Sequence, residues 1–128
     1  MPTARVLGLL CTGLALATLS ACVGGRQTND YAIYTGGDAH RGKQVITQYR
    51  CGACHVIPGI RDATGQVGPP LTQFGLRTYI GGELPNKPDN LVRWIMSAPS
   101  VEPGTAMPHL GVTEQQARDV AAYLYTLR

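Results

Sequence analysis

The sequence predicts a small all-α domain, with about three main helices and their connecting loops wrapped around one bound group. In three stretches, 38–50, 86–99 and 113–127, apolar side chains recur at the three- and four-residue spacing of one helical face. The 128 residues include 16 glycines and 9 prolines, and little strand-like alternation appears, which favours irregular loops elsewhere. Short helices and loops bury little surface in a chain of this length, so a bound group is expected to supply the missing apolar volume.

Residues 1–21 have the features of a targeting segment that is removed from the mature protein. Arg5 precedes an apolar run from Val6 to Leu19, which is short for a membrane span of roughly 20 residues. The run ends in Leu19-Ser20-Ala21-Cys22, which resembles the bacterial lipobox, where cleavage before the cysteine leaves its thiol to carry lipid. The alternative is an ordinary secretory signal that leaves Cys22 as a free thiol.

The lipobox predicts a protein anchored by lipid at Cys22 on the periplasmic side of a bacterial membrane. Two or more acyl chains hold a protein stably on a bilayer, whereas one chain gives only reversible binding. Residues 22–37 would then form a flexible tether, and residues 38–128 the folded domain. Alternatively, Tyr31, Ile33 and Tyr34 pack down on that domain.

The first helix is predicted to begin after a capping Asp38 and to run to about Arg50. Its apolar stripe includes Gly42, which costs about 1 kcal/mol relative to alanine inside a helix. We therefore expect another helix to cross closely at Gly42. His40 precedes the stripe and is expected to face solvent.

The motif Cys51-Gly52-Ala53-Cys54-His55 follows the first helix. Two cysteines separated by two residues, with a histidine directly after them, are typical of c-type haem attachment. Each thiol can form a thioether to one vinyl group of the same porphyrin, and His55 then supplies an axial nitrogen to the iron. Gly52 and Ala53 are small, so the backbone is expected to lie close to the porphyrin edge.

Two other kinds of site use the same cysteine spacing. A thioredoxin-like redox pair requires strand–helix alternation around it, and none appears here. A tetrahedral zinc site requires a second pair of ligands, and His40 and His109 do not form one. The motif therefore favours one covalently bound haem c.

The segment from Val56 to Gly68 is irregular and leads into Pro69-Pro70-Leu71. An axial histidine needs an acceptor for its second ring nitrogen, which fixes the ring and raises its basicity. A carbonyl of the Gly68-Pro69 turn is a candidate acceptor. An ordinary proline-rich turn is the alternative.

A second helix is predicted to start at Asn86-Lys87-Pro88-Asp89-Asn90, with Asn86 as the cap and Pro88 and Asp89 in the first turn. Its apolar stripe ends before Pro99 and contains Trp94, the one tryptophan of the chain. We expect Trp94 to contact the porphyrin, with plain core packing as the alternative.

The irregular stretch Pro103-Gly104-Thr105-Ala106-Met107-Pro108 carries a methionine near its end. A thioether suits haem iron opposite histidine, and Met/His ligation raises the reduction potential. Met96 is a rival, but it lies in a helical stripe, and His109 is a second rival. The sequence favours Met107 over both as the sixth ligand.

The last helix is predicted to begin after Thr113, which forms a capping box with Gln116. Its inner stripe is the expected partner for the crossing at Gly42.

From Asp38 to Arg128 the chain resembles the class I mono-haem c-type cytochromes. The markers are the haem motif, Gly68-Pro69-Pro70-Leu71, the Met107 loop and Ala122-Tyr123-Leu124. The stretch from Leu91 to Leu127 is also similar to the cytochrome domains of haem–copper oxidase subunit II and to small lipoprotein cytochromes. The loop between Gly59 and Pro69 departs from the family pattern.

This resemblance implies the class I cytochrome c fold, with the first and last helices crossing at Gly42 and Tyr123. It assigns the histidine-holding carbonyl to Pro69 and the sixth iron ligand to Met107. It also places Trp94 against the haem, and Tyr79 or Thr105 on a haem propionate.

The function predicted is a membrane-tethered one-electron carrier rather than an enzyme. The expected partners are a respiratory oxidase, a dehydrogenase or a quinol:cytochrome c reductase, and neither nucleic acid nor a small-molecule substrate is expected. A haem-bearing subunit of a dehydrogenase or oxidase complex is the first alternative, and a haem sensor or enzyme with an open sixth position is the second. The net charge of +3 is small, so docking is expected to use the exposed haem edge rather than long-range steering.

Overall fold

The computed structural model describes residues 34–128, and three α-helices lie wholly within this range. They are α1 (Ala39–Gln48), α2 (Pro88–Ser97) and α3 (Glu114–Tyr125). Single turns of 3-10 helix occur at Cys51–Ala53, Phe74–Leu76 and Ala98–Ser100. The prediction of a mainly helical domain with three main helices is confirmed.

A small antiparallel hairpin was not predicted from the sequence. Strand β1 (Tyr79–Ile80) pairs with β2 (Leu84–Pro85), with Ile80 opposite Leu84. Gly81 and Gly82 in the turn both have positive φ, 58° and 83°, a conformation that glycine adopts without strain. Two-residue strands are too short to give an alternating sequence pattern.

Helix α1 starts as predicted. The Asp38 carboxylate accepts a hydrogen bond from the backbone N–H of Arg41 at 2.8 Å, which satisfies one of the free donors of the first turn. Ala39, Gly42 and two aliphatic residues face inward, and His40 is exposed as expected. The capping box of Thr113 and Gln116 at the start of α3 is also present.

The predicted crossing at Gly42 is the main contact between the two terminal helices. A Cβ atom at Gly42 would lie 2.0 Å from the carbonyl oxygen of Asp119 and 3.1 Å from Cβ of Tyr123. The backbones of α1 and α3 are therefore in direct contact, and only glycine fits between them.

The buried Asp119 of α3 also joins the two helices at this crossing through hydrogen bonds. Its carboxylate accepts hydrogen bonds of 2.9 Å from Nε and Nη2 of Arg41, and one of 2.8 Å from the backbone N–H of Asp38. Gln115 donates a further bond of 3.1 Å. Burial raises the pKa of Asp119, but these hydrogen bonds outweigh it and hold the pKa below its ordinary value.

The start of α2 corrects one prediction. The N-cap is Lys87, with no side-chain capping bond, while Pro88 and Asp89 lie in the first turn as expected. Asn86 does not cap the helix. Its amide instead donates to the carbonyl oxygens of Phe74 and Arg77 at 3.1 and 3.0 Å, and its oxygen accepts from the Tyr125 hydroxyl.

The core lies between the three helices and the loop that carries Phe74. The buried apolar side chains include Val45, Ile46, Ile57, Phe74, Leu91, Ile95, Val120 and Leu124. Phe74 meets Tyr125 edge to face, with 6.3 Å between ring centroids. Burial raises the pKa of Tyr125 to about 12.

Most of the predicted tether, with Cys22, Tyr31 and Ile33, lies outside the described residues. Its last part is packed against α3: Thr35 is fully buried, and its carbonyl oxygen accepts from Arg118 at 2.9 Å. Tyr34 is 72% exposed, so it does not pack down on the domain. Within residues 34–128, none of the helices has the length and apolar character needed to cross a bilayer.

Candidate haem-binding site

The two cysteines lie in a tight turn directly after α1. Arg50 adopts a left-handed conformation with φ of 54°, which redirects the chain out of the helix. Residues Cys51–Ala53 then form one turn of 3-10 helix, and the backbone N–H of His55 donates to the Cys51 carbonyl at 3.1 Å. Both thiols are unpaired and half-buried, so the turn presents two cysteines and a histidine together.

The segment after His55 folds back and is joined to this turn by main-chain hydrogen bonds. The backbone N–H groups of Gly65, Gly68 and Leu71 donate to the carbonyls of Gly52, Cys54 and Val56, at 3.0, 2.8 and 2.8 Å. This arrangement places Pro69 beside His55.

The same contacts give Gly52 a second role beside the one expected from the sequence. A Cβ atom at Gly52 would lie 2.6 Å from Cβ of Ala63, so glycine is required there by the returning loop. The sequence-based expectation assigned its small size to the porphyrin edge. Gly65 is equally constrained, because a Cβ atom there would lie 2.2 Å from the Ala53 carbonyl oxygen.

His55 is held through its Nδ1 atom, which lies 2.7 Å from the carbonyl oxygen of Pro69. A carbonyl can only accept, so Nδ1 donates and the neutral ring has its lone pair on Nε2. Gly68 lies against the ring: a Cβ atom there would be 2.3 Å from Cε1 of His55. The imidazole is therefore fixed in tautomer and in position, with Nε2 available for a metal.

Two alternative sites fit the structure less well. Burial raises the pKa of the Cys51 thiol, whereas a redox C-x-x-C pair depends on a lowered thiol pKa. Among residues 34–128 there is no group of three His, Cys, Asp or Glu side chains that could hold a metal ion. Within residues 34–128 the chain therefore shows neither the lowered Cys51 pKa of a redox pair nor the ligand cluster of a zinc site.

Met107 lies in a chain of turns that follows α2. Its backbone N–H donates to the hydroxyl oxygen of Thr105 at 3.2 Å, and the Thr105 N–H donates to the Glu102 carbonyl at 3.0 Å. Met107 is half-buried and His109 is exposed. Met96 lies on α2, where it is half-buried and packs against the apolar core.

The two aromatic candidates lie on and beside the hairpin. A Cβ atom at Gly81 would be 2.4 Å from Cη2 of Trp94, so the indole ring of Trp94 packs on the hairpin turn. Tyr79, on β1, is 55% exposed. The Tyr79 side chain is accessible, and the contacts predicted for Trp94 and Tyr79 with the haem stay predictions.

The match to known families decides the classification of this chain. The family model of cytochrome c matches residues 39–128. The chain belongs to the cytochrome c family. The class I cytochrome c fold inferred from the sequence is therefore established, and so is haem-based electron transfer as the general activity.

Two curated relatives of this cytochrome c are subunits of an oxidase. It is 35% identical over 91 residues to cytochrome c oxidase subunit 2 of Alkalihalophilus pseudofirmus (strain OF4), covering 70% of this chain and 26% of the relative. It is 33% identical over 91 residues to the same subunit of Bacillus sp. (strain PS3), covering 66% and 25%. The chain thus spans about a quarter of the length of these relatives.

The donor set of this cytochrome c fits the haem c that its family implies. The two thiols are unpaired, and the histidine ring beside them has Nδ1 occupied and Nε2 available. Val67 and Leu76, in the segment following His55, are 71% and 61% exposed. Such large apolar side chains are available to contact a porphyrin.

Two residues that support this site were not found from the sequence. Gly65 makes the close backbone approach described above, and Arg77 donates to the carbonyl oxygens of Pro70 and Thr72. Arg77 also stacks over Phe74, with 5.4 Å from its guanidinium carbon to the ring centroid. Glycines spaced through an irregular loop were the available signal, whereas nothing local identified Arg77.

Proposed function

We propose that this cytochrome c is a membrane-tethered one-electron carrier of a respiratory or periplasmic oxidation chain. One haem c would be bound covalently through Cys51 and Cys54 and ligated by His55 and Met107. Lipid on Cys22 would anchor the protein on the periplasmic side of a bacterial membrane. Its redox partners would be a respiratory oxidase, a dehydrogenase or a quinol:cytochrome c reductase.

The observation that carries this proposal is the hydrogen bond from His55 Nδ1 to the Pro69 carbonyl, 2.7 Å long. It leaves Nε2 unprotonated and raises the basicity of the ring as a ligand. Gly68 on one side of the ring prevents it from turning away. A histidine fixed in this way, directly after two free cysteines, would hold the iron of a covalently bound haem through Nε2.

Haem c, when bound, supplies a one-electron couple between ferrous and ferric iron. The protein contributes the positions of the ligands. His55 is fixed by a main-chain carbonyl, and the Met107 backbone is fixed by the Thr105 hydroxyl. Ligands held on both sides need little rearrangement between oxidation states, as a carrier requires.

A second candidate function is that of a fixed subunit in an oxidase complex. The similarity to cytochrome c oxidase subunit 2 supports it. Purification from native membranes in mild detergent distinguishes the two functions. A free carrier elutes alone, whereas a subunit co-elutes with the remaining chains of the complex.

The test of the carrier function is the substitution Met107→Ala in the haem-loaded protein. If Met107 is the sixth ligand, the unmodified ferric protein has the weak far-red sulfur-to-iron band and its ferrous form binds carbon monoxide poorly. Met107→Ala should abolish the band, permit carbon monoxide binding and lower the reduction potential, because the thioether stabilises ferrous iron.

Two control variants separate ligation from packing. Met96→Leu nearly conserves volume and should retain the band, and His109→Ala should also retain it. Rapid carbon monoxide binding by the unmodified ferrous protein would exclude the closed-site carrier and favour the sensor or enzyme.

A further inference from the structure

The exposed side of α1 is a polar surface that the electron-transfer site does not use. His40, Lys43, Gln44, Thr47 and Gln48 line it as a shallow open concavity. They follow helical spacing on the side opposite to the buried Gly42, Val45 and Ile46. We call these five residues, together with the exposed Arg50 that follows the helix, the basic face.

The charge of the basic face has one sign. Residues 39–61 contain no aspartate or glutamate. Arg41 is compensated by the buried Asp119, but Lys43 and Arg50 form no ion pair among the described residues. The face therefore presents uncompensated positive charge.

The chain enters the domain at the edge of the basic face. Thr35 is buried, Gly36 accepts a hydrogen bond from Gln115 at 3.1 Å, and a Cβ atom at Gly37 would lie 2.1 Å from the Arg118 carbonyl oxygen. This docking against α3 fixes the position of residues 35–37, which come directly before α1 and its basic face.

We propose that the basic face of α1 lies on the anionic headgroups of the membrane that holds the lipid anchor. This proposal depends on the proposed anchoring through Cys22. A stretch of about 12 residues, from Cys22 to Ile33, can span at most roughly 40 Å in any conformation, so an anchored domain stays near the bilayer surface. Each basic residue close to an anionic surface strengthens binding about fivefold, and the attraction acts within a Debye length of about 8 Å.

The basic face would therefore orient the domain on the membrane rather than attach it. The lipid already holds the protein at the surface, and the basic face selects which side rests on it. The domain would then keep one side towards the membrane instead of rotating freely on its tether.

The test uses the full lipidated protein in vesicles of neutral phosphatidylcholine, with or without anionic phosphatidylglycerol. A fluorescent label is placed on the basic face at Gln44→Cys or on the hairpin turn at Glu83→Cys, and quenching by lipid-borne spin labels is measured. Quenching should be stronger at residue 44 than at residue 83 in anionic vesicles, and this difference should shrink in neutral ones.

Two double variants that remove the same number of positive charges separate the effect of the basic face from that of the net charge. Lys43→Gln with Arg50→Gln should remove the extra quenching at residue 44, whereas Lys87→Gln with Arg93→Gln, on or beside α2, should preserve it. In the unlipidated full chain carrying Cys22→Ser, Lys43→Gln with Arg50→Gln should weaken binding to anionic vesicles roughly 30-fold.

Four outcomes decide the proposal. The proposal is overturned if quenching at residue 44 is the same in anionic and neutral vesicles. It is also overturned if both double variants change that quenching equally. A basic-face variant that slows reduction by a partner protein without changing quenching also overturns it, and assigns the face to an acidic protein. If the unmodified protein fails to float with vesicles, the lipid anchor is contradicted, and charge-specific binding by the Cys22→Ser chain still tests the face.

Discussion

Replacing Gly42 with alanine tests the helix crossing that closes the fold. The added Cβ atom would lie 2.0 Å from the carbonyl oxygen of Asp119 and 2.6 Å from its carbonyl carbon. Cβ atoms in real proteins essentially never approach other atoms closer than 3.0 Å. Both are main-chain atoms, so no side chain can rotate away. Helices α1 and α3 must separate, and the bonds from Arg41 and Asp38 to Asp119 lengthen with them.

The size of the effect follows from three contributions. Overpacking costs about 1–3 kcal/mol, and weakening a hydrogen bond to a charged group costs up to about 1.5–3 kcal/mol. Alanine recovers about 1 kcal/mol of helix propensity. We expect the free energy of unfolding of the holoprotein to fall by roughly 2–4 kcal/mol.

Guanidinium denaturation followed by far-ultraviolet circular dichroism measures this change. Gly104→Ala is the matched control, because a Cβ atom there meets only the flexible Glu102 side chain, at 3.1 Å. It should stay within about 0.5 kcal/mol of the unmodified protein. A Gly42→Ala protein as stable as this control would show that the helices are not in contact as described.

Two other predictions concern Asp119 and the histidine ligand. Asp119 has a lowered pKa in the folded protein, so its stabilising contribution is present above its unfolded pKa of about 3.9 and is lost as pH falls through the folded value. The stability advantage of the unmodified protein over Asp119→Asn should therefore be largest near neutral pH and shrink below about pH 4 in denaturation curves; a constant difference would contradict it. Gly68→Ala places a methyl group against the His55 ring and should break the bond to Pro69 while haem stays attached. Because that bond raises ligand basicity, the reduction potential should rise in spectroelectrochemistry, and an unchanged potential would refute the contact.

Features encoded in neighbouring residues were predicted well from the sequence. Asp38 and the Thr113–Gln116 pair cap helices within a single turn, so their signals are local. The crossing at Gly42 was also found, because a glycine inside an apolar helical stripe needs a compensating contact. The cysteine pair and His55 form a contiguous motif.

Features that depend on distant residues were predicted less well. Asn86 has the composition of a helix cap, but carbonyls of the Phe74–Arg77 turn and the Tyr125 hydroxyl take its amide instead. The role of Gly52 depends on Ala63, and that of Asp119 depends on Arg41, 78 residues away. Such pairings arise only once the chain has folded, so no local pattern carries them.

In the loop after His55, the number of residues matters more than the identity of most side chains. Its links to the cysteine turn are main-chain bonds from Gly65, Gly68 and Leu71. A Cβ atom would clash at Gly65 and Gly68, but the bonds themselves need no particular side chain. One residue inserted between Gly65 and Pro69 would move the Pro69 carbonyl oxygen away from Nδ1 of His55. The turn near Ile60 lies outside these three links, so we expect a change in its length to move the Pro69 carbonyl less. Substitutions at other positions of this loop that keep the spacing between Gly65, Gly68 and Pro69 are therefore expected to leave the Pro69 carbonyl beside His55.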